Sequence, residues 1–305
     1  MSYNYNYILN YSTRRKKIRI INVILTIALI LLICAAVFLV FIIKDMLDYD
    51  MKVKEYGKTI EKESAYFKLQ EQIAYEKEQK RLRNSKPLTE NQISLIENIY
   101  SLEGNKKAFL TFDDGPTMSV TPLILDYLKE ENIKVTFFVL GNRVKANPDL
   151  IKREFEEGHY IANHGYSHVY SKIYAKVENV LEEYNYTENA IQEALENPEY
   201  HSRVFRFPGG SVGGYYAKMK TKAKEYLKQK NIAYLDWNAL SNDAAGAYTK
   251  EALMQNIIET VGEKNNVVIL MHDAADKILT YETLPEVVEY LRQKGYTFMN
   301  LYDIL

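Results

Sequence analysis

Ala108-Phe109-Leu110-Thr111-Phe112-Asp113-Asp114-Gly115-Pro116 joins a short apolar run to an acidic pair and a turn. An apolar run of this length, closed by Asp-Gly-Pro, reads as a buried strand ending in a tight turn. The arrangement recurs downstream. Further candidate strands are Val135–Leu140, Tyr160–Asn163, Val204–Phe207, Ala233–Trp237, Val267–Met271 and Thr297–Asn300. Between most of them lie helical patterns, as at Pro122–Glu131, Val177–Leu195 and Glu282–Lys294. Such alternation predicts an α/β fold with a parallel sheet covered by helices. Roughly seven units in about 200 residues fit an incomplete or distorted (β/α) barrel better than an open sheet. No internal repeat of fixed period is visible.

Upstream the composition changes. Residues Ile20 to Ile43 form an uncharged run of 24 residues. As a helix it would be about 36 Å long, enough to cross a hydrocarbon core of about 30 Å with some tilt. Arg14, Arg15, Lys16, Lys17 and Arg19 precede it, and Lys44, Asp45, Asp48 and Asp50 follow. The positive-inside rule then puts the N-terminus in the cytoplasm and everything after about residue 44 outside. The run exceeds the apolar region of a cleaved signal peptide. Bulky Ile33 stands before Cys34 where a lipoprotein site would need a small residue, and five clustered cations argue against a buried core helix.

From Asp45 to Glu90 there are ten acidic and ten basic residues. Val53, Tyr56, Ile60 and Phe67 keep a heptad-like spacing, but Glu63, Gln70 and Lys77 then fall on the seam. This favours a solvated, mixed-charge helical spacer over a specified coiled coil, although the spacer leaves room for self-association. The expected organisation is a basic cytoplasmic segment (1–19), a transmembrane anchor (20–43), a helical spacer (44–103) and one α/β domain (104–305).

The whole chain of 305 residues carries Lys+Arg 39 against Asp+Glu 40, a net charge of -1. That gives no general electrostatic reason to bind nucleic acid. Hydrophobic residues at 47% exclude a wholly disordered chain. The single cysteine, Cys34, excludes an internal disulfide and any cysteine-built zinc site. No mechanism accounts for the 26 tyrosines beyond amphipathic packing.

In barrels of this kind chemistry collects at the C-terminal ends of strands. Asp113-Asp114, His164, Arg206, Asp236, Asp243 and His272-Asp273 all fall at or beside strand exits, and His168 follows His164 by four residues. Any one of these could be a turn or a packed side chain. Three of the chain's five histidines at strand exits are harder to explain that way. An i, i+4 histidine pair sets two imidazoles on one face of a helical turn, suited to one metal. A carboxylate from Asp113-Asp114 would complete a three-ligand set with open positions, as in catalytic rather than structural zinc sites, and leave a second carboxylate free for a proton.

Thr111-Phe112-Asp113-Asp114-Gly115-Pro116 resembles the first motif of the polysaccharide deacetylases (NodB-like, carbohydrate esterase family four). His164-Gly165-Tyr166-Ser167-His168 resembles the second motif and Arg206-Phe207-Pro208-Gly209-Gly210 the third. Trp237 through Asp243 resembles the fourth, and Leu270-Met271-His272-Asp273 the fifth. The five stand in the family's order across residues 108–273. The resemblance implies a divalent metal on Asp114, His164 and His168, zinc by default with Co2+, Ni2+ or Mn2+ as alternatives. It implies Asp113 as general base and His272 as general acid, with Arg206 orienting Asp113 and holding it ionised, and Asp243 orienting and tuning His272. It also implies Gly209 N–H as an oxyanion donor and Trp237 and Leu270 as walls around the acetyl methyl. Gly165, Val169 and Ala244 depart from the family's usual residues, and Gly209 supplies no side chain to contact a sugar.

With this topology, the resemblance implies a membrane-anchored hydrolase that removes acetyl groups from an extracellular glycan. Peptidoglycan N-acetylglucosamine is the first choice, resembling peptidoglycan N-acetylglucosamine deacetylases. N-acetylmuramic acid, other N-acetylglucosamine polymers, chitin-like oligomers and O-acetylated polysaccharides follow. Two other classes compete. A two-histidine, one-carboxylate iron oxygenase shares the ligand set but leaves Asp113, Arg206 and His272 without a task. A wall-binding scaffold of the same fold would not need both proton carriers.

Overall fold

The apolar run before Asp113-Asp114 is the centre of the sheet. In the computed structural model β1 (Lys107–Asp113) pairs in parallel with β2 (Thr136–Val139) on one side and β7 (Asn266–His272) on the other. The structure describes residues 60–305 and, upstream, residues 23, 26, 27, 29 and 31–47. The expected basic segment 1–19 lies outside the described residues, as do parts of the expected span 20–43 and of the spacer. Residues 31–47 are helical, with exposed apolar side chains such as Leu32 and Phe38. Among the described residues no helix is long and apolar enough to cross a membrane. The chain divides into two units, Met1–Tyr75 and Glu76–Leu305, and the second carries the sheet.

Among the described residues eight strands form the sheet, in the order β5-β4-β3-β2-β1-β7-β6, with β8 (Thr297–Phe298) on β1. β3 (Tyr160–Asn163), β4 (Val204–Phe205), β5 (Ala233–Tyr234) and β6 (Ala239–Leu240) complete it, and every pairing is parallel. Laid flat, the edges β5 and β6 would stand about 29 Å apart, at about 4.8 Å per strand. Only residues 235–238 join them, a reach of about 18 Å at most. The sheet must therefore curl until its edges approach, yet β5 and β6 do not pair. This is the incomplete barrel that the alternating pattern predicts. Asn238 clamps the gap on the β7 side, its Nδ2 donating to Asn266 O (2.9 Å) and its Oδ1 accepting from Val268 N (2.8 Å).

Alternation along each strand separates two layers. Ala108, Leu110 and Phe112 of β1 and Val267, Ile269 and Met271 of β7 pack under the helices. They meet Ile124, Leu125 and Leu128 of α3 (Thr121–Glu130) and Leu284, Val288 and Leu291 of α10 (Ile278–Gln293). Phe109, Phe138, Tyr160, Ala162, Val204 and Val268 face the other way and share the interior cluster.

That interior is closed from below by residues assigned in sequence to the spacer. Leu88, Ile93, Ile96 and Ile99 are buried in it, the middle two from α2 (Glu90–Glu97), whose start is fixed by a capping box between Thr89 and Gln92. Asn84 is also buried and exchanges hydrogen bonds with the His201 backbone (both 2.9 Å). The boundary expected at residue 104 thus lies too far downstream. Isoleucines spaced by three in a charged stretch look like a solvated helix until a partner surface is known. α1 (Ile60–Arg83) precedes this segment.

Other differences are local. β4 and β5 are two residues long, because the chain turns into the site beyond them. β6 was not expected from the sequence, being too short to show a pattern. Helix α10 begins at Ile278 rather than Glu282, with Pro285 inside it. α7 (Val177–Leu195) and β3 keep the predicted bounds.

Candidate active site

The parity that sends Phe109 inward also sends Thr111 and Asp113 inward. Val268, Leu270 and His272 follow on β7, Ala162 and then His164 past β3, and Val204 and then Arg206 past β4. Asp113 and His272 are register partners on adjacent strands. The ladder runs on past β3 and β4, with His164 N donating to Val139 O (3.0 Å) and Arg206 N to Asn163 O (2.9 Å). Four chemistry-bearing side chains thereby meet at one end of the barrel.

Asp114, His164 and His168 bring three ligand atoms within 4.8 Å of one another. Asp114 Oδ1 lies 3.6 Å from His164 Nε2 and 3.4 Å from His168 Nε2. That oxygen is buried and has no hydrogen-bond partner among the described residues. A buried carboxylate oxygen without a donor is costly to keep, and a cation would satisfy it. His164 Nδ1 sits 2.9 Å from Arg206 O, so it carries the proton and Nε2 presents a lone pair to the cluster. Burial pushes the His164 pKa down to about 3, with His168 and Arg206 adding to the effect against the pull of Asp114. The ring stays neutral, as a ligand must. The residues fit a divalent metal. Asp114 and His168 both hold positive φ, 77° and 56°, a backbone strain that aims their side chains inward.

The pair His164 and His168 does not ride a helical turn, as its spacing predicts. It lies in a loop held by Glu183 of α7, whose Oε2 accepts from Tyr166 N and Ser167 N (both 2.7 Å) and whose Oε1 accepts from Ser167 Oγ (2.7 Å). The two rings still stand 5.3 Å apart. The sequence signal for Glu183 is an acid on the same face of α7 as Val180, Tyr184 and Thr187.

Arg206 is fully buried and bonded throughout. Nη1 donates to Asp113 Oδ1 (2.8 Å) and Thr111 Oγ1 (2.7 Å), Nε to Leu235 O (3.0 Å) and Nη2 to Asp236 O (3.1 Å). Burial raises the Asp113 pKa above the ordinary carboxylate value, and Arg206 and His272 offset that only in part. Arg206 orients Asp113, but burial still tilts the carboxyl toward its protonated form. A bound cation would pull it back.

Asp243 Oδ1 lies 2.7 Å from His272 Nδ1, and its Oδ2 accepts from His272 N (2.8 Å) and Thr280 Oγ1 (2.7 Å). Burial of His272 opposes protonation, but the hydrogen bond and charge of Asp243, helped by Asp113 and Asp114, push its pKa up to about 9.

The remaining expected residues are less tightly gathered. Leu270 is buried on β7, in register with Thr111 and Leu240. Trp237 packs over Gly210, where an added Cβ would come within 3.2 Å of its ring, and borders a cleft with Tyr100, Ser211 and Asp236. Gly209 is exposed, at φ 73°. Two residues that sequence reasoning did not single out for a role also stand here. Asp273 is fully buried behind the first-motif loop, and Tyr170 packs against His168.

The family description "polysaccharide deacetylase" matches residues 102–230. A peptidoglycan-N-acetylglucosamine deacetylase of Bacillus cereus is 31% identical over 211 residues, covering 68% of this chain and 92% of its own length. The chain belongs to the polysaccharide deacetylase family. A peptidoglycan-N-acetylglucosamine deacetylase of Listeria monocytogenes is 32% identical over 213 residues, 68% of this chain. The chain spans only 41% of that relative's length. Among solved structures, a carbohydrate esterase family four esterase of Streptococcus mutans superposes with a TM-score of 0.60 at 30% identity. The match covers 70% of this chain and 91% of that one.

Proposed function

We propose that this chain hydrolyses acetamido groups on an N-acetylated glycan outside the cell, with peptidoglycan N-acetylglucosamine as its first substrate. The observation that carries this is the register pairing of Asp113 and His272 beside the Asp114–His164–His168 cluster. One carboxylate and one imidazole, neither of them in the cluster, stand ready to move protons. The names of the Bacillus and Listeria relatives support the substrate.

A divalent ion held by Asp114, His164 and His168, zinc from the ligand types, supplies Lewis acidity and lowers the pKa of water. Asp113 takes the proton of the water whose oxygen attacks the acetyl carbon. Its raised pKa suits that task, since a base works best with a pKa near the working pH. Gly209 N–H donates to the carbonyl oxygen as negative charge grows there, an effect of about 3–4 kcal/mol per donor in other enzymes. The carbon–nitrogen bond then breaks, and the amine leaves with the proton that His272 delivers. A pKa of about 9 keeps that imidazole charged at neutral pH. Arg206 keeps Asp113 aimed, and Asp243 accepts from His272 Nδ1–H, which leaves the Nε2–H of the charged ring to face the leaving amine. Acetate and a free amino sugar result.

The topology belongs to the same proposal. The cations from Arg14 to Arg19 lie before the 24-residue uncharged run, which puts the domain outside, facing the wall polymer. Protease added to intact cells should remove the domain, and its protection would overturn that placement.

The deciding experiment is acetate release by the full chain from peptidoglycan fragments, with and without a chelator. Chelator-sensitive release that Asp113→Asn abolishes, with the fold retained, is the expected result. Silence on peptidoglycan and on other N-acetylglucosamine polymers would leave the scaffold reading instead.

A further inference from the structure

Gly209 gives the third motif no side chain, yet the space beside it is filled. A Cβ built on Gly209 would lie 2.7 Å from the Tyr170 hydroxyl oxygen and 3.1 Å from its Cζ. Tyr170, from the loop that follows His168, thus occupies the place of a residue-209 side chain. It opens the short helix α6 (Tyr170–Ile173).

The ring is fixed on three sides. It lies 5.4 Å from the His168 ring and 5.9 Å from the Tyr174 ring, centroid to centroid, with Gly209 beneath its hydroxyl. Tyr174 is itself tied to the third motif, its hydroxyl donating to Pro208 O (2.7 Å). The two tyrosines then part company. Tyr174 is 2% exposed and bonded, whereas Tyr170 is 39% exposed and its hydroxyl has no partner among the described residues. A held phenol costs little conformational entropy to use, and an O–H at a cleft wall is a donor waiting for an acceptor.

We propose that the Tyr170 hydroxyl, standing between His168 and Gly209, is a substrate-binding hydrogen-bond donor. It contacts an oxygen of the N-acetylated sugar that reaches the Gly209 amide. It supplies from the second motif's loop the side-chain contact that Gly209 cannot make. The inference rests on the deacetylase reading above.

The test compares the full wild-type chain with Tyr170→Phe and Asp113→Asn, using acetate release from N-acetylglucosamine oligomers. Zinc affinity and Tm are measured on the same proteins. Phenylalanine keeps the ring against His168 and removes only the donor. The expected result is a fall in kcat/KM of about tenfold or more for Tyr170→Phe, the worth of one hydrogen bond at a reacting site, with zinc affinity and Tm unchanged. A kcat/KM within twofold of wild type, while Asp113→Asn is inactive, would overturn the role of Tyr170 and leave the deacetylase reading standing. Zinc affinity falling in step with activity would also overturn it, since Tyr170 would then act through the metal loop. A wild-type chain that releases no acetate would overturn both.

Discussion

Asp243 holds His272 at two points, its Oδ1 2.7 Å from the ring Nδ1 and its Oδ2 2.8 Å from the backbone nitrogen. The second bond fixes where the residue sits, and the first fixes which ring nitrogen is free. Together they make His272 a cation with Nε2 pointing away from Asp243.

This pair sets a pH limit. In the proposed mechanism His272 is protonated to release the amine, and its pKa is pushed up to about 9. The alkaline limb of kcat/KM is therefore expected near pH 9. Asp243→Asn removes the largest favourable influence and should move that limb down by at least about one unit toward the ordinary value near 6.5. The rate should fall by about 10²-fold, within the usual worth of a general acid. Stability follows the same sign. The folded pKa is raised, so the contribution is fully present below about pH 6.5 and lost as pH rises through about 9. A limb left in place by Asp243→Asn would show that another group carries the proton.

Asp114 carries the second prediction. Its Oδ1 is buried without a donor between His164 and His168. Zinc at a hundred times its dissociation constant should stabilise the wild-type chain by about 2.7 kcal/mol. Asp114→Asn keeps a residue that tolerates positive φ and removes the charge. It should lose that response, read as a Tm shift with and without zinc. An equal shift in both proteins would place the metal elsewhere.

The legible parts of this site share a property: chemistry and strand lie next to each other in sequence. Asp113 follows Ala108–Phe112, and His272 follows Val267–Met271. A two-residue period then carries both to the inner face without knowledge of the fold. Residues that act across the fold were not legible. Glu183 shapes the loop of His164 and His168 from 15 residues past His168, so an i, i+4 spacing looked helical when it was a carboxylate-bound turn. Ile93, Ile96 and Ile99 looked like spacer because their partner surface is built by strands far downstream. Tyr170 was one of 26 tyrosines, and only tertiary contact sets it over Gly209.

Gly115 makes a further contact of this kind. A Cβ there would lie 2.0 Å from Asp273 Oδ2 and 2.3 Å from its Cγ. Asp273 cannot move aside easily. Its Oδ2 accepts from Thr121 Oγ1 (2.5 Å), and its carbonyl accepts from Thr117 Oγ1 (2.7 Å). Gly115→Ala should therefore cost about 1–3 kcal/mol through overpacking and displace the neighbouring Asp114. Adding Asp273→Ala opens the space. The double variant should be less destabilised than the sum of the singles by at least about 0.5 kcal/mol. Simple additivity in urea unfolding would mean that the two residues do not meet.

Arg206 ties Asp113 to the Asp114–His164–His168 cluster, and its replacement should be felt in both. Its guanidinium satisfies Asp113, Thr111, Leu235 O and Asp236 O, while its own carbonyl holds His164 Nδ1. Its guanidinium carbon also lies 3.9 Å from the centre of the Phe138 ring. Lysine keeps the charge but has no planar fork, so Arg206→Lys leaves the buried Leu235 carbonyl and the partly buried Asp236 carbonyl without this donor. Each unmet group costs about 1–3 kcal/mol. The variant should unfold at markedly lower urea, with acetate release reduced by about 10²-fold or more as Asp113 loses its aim. Zinc affinity should fall less, because the backbone carbonyl that orients His164 survives the change of side chain. A variant of wild-type stability would show that water or a neighbour replaces the lost donors, and that the guanidinium is not the joint between the two halves of the site.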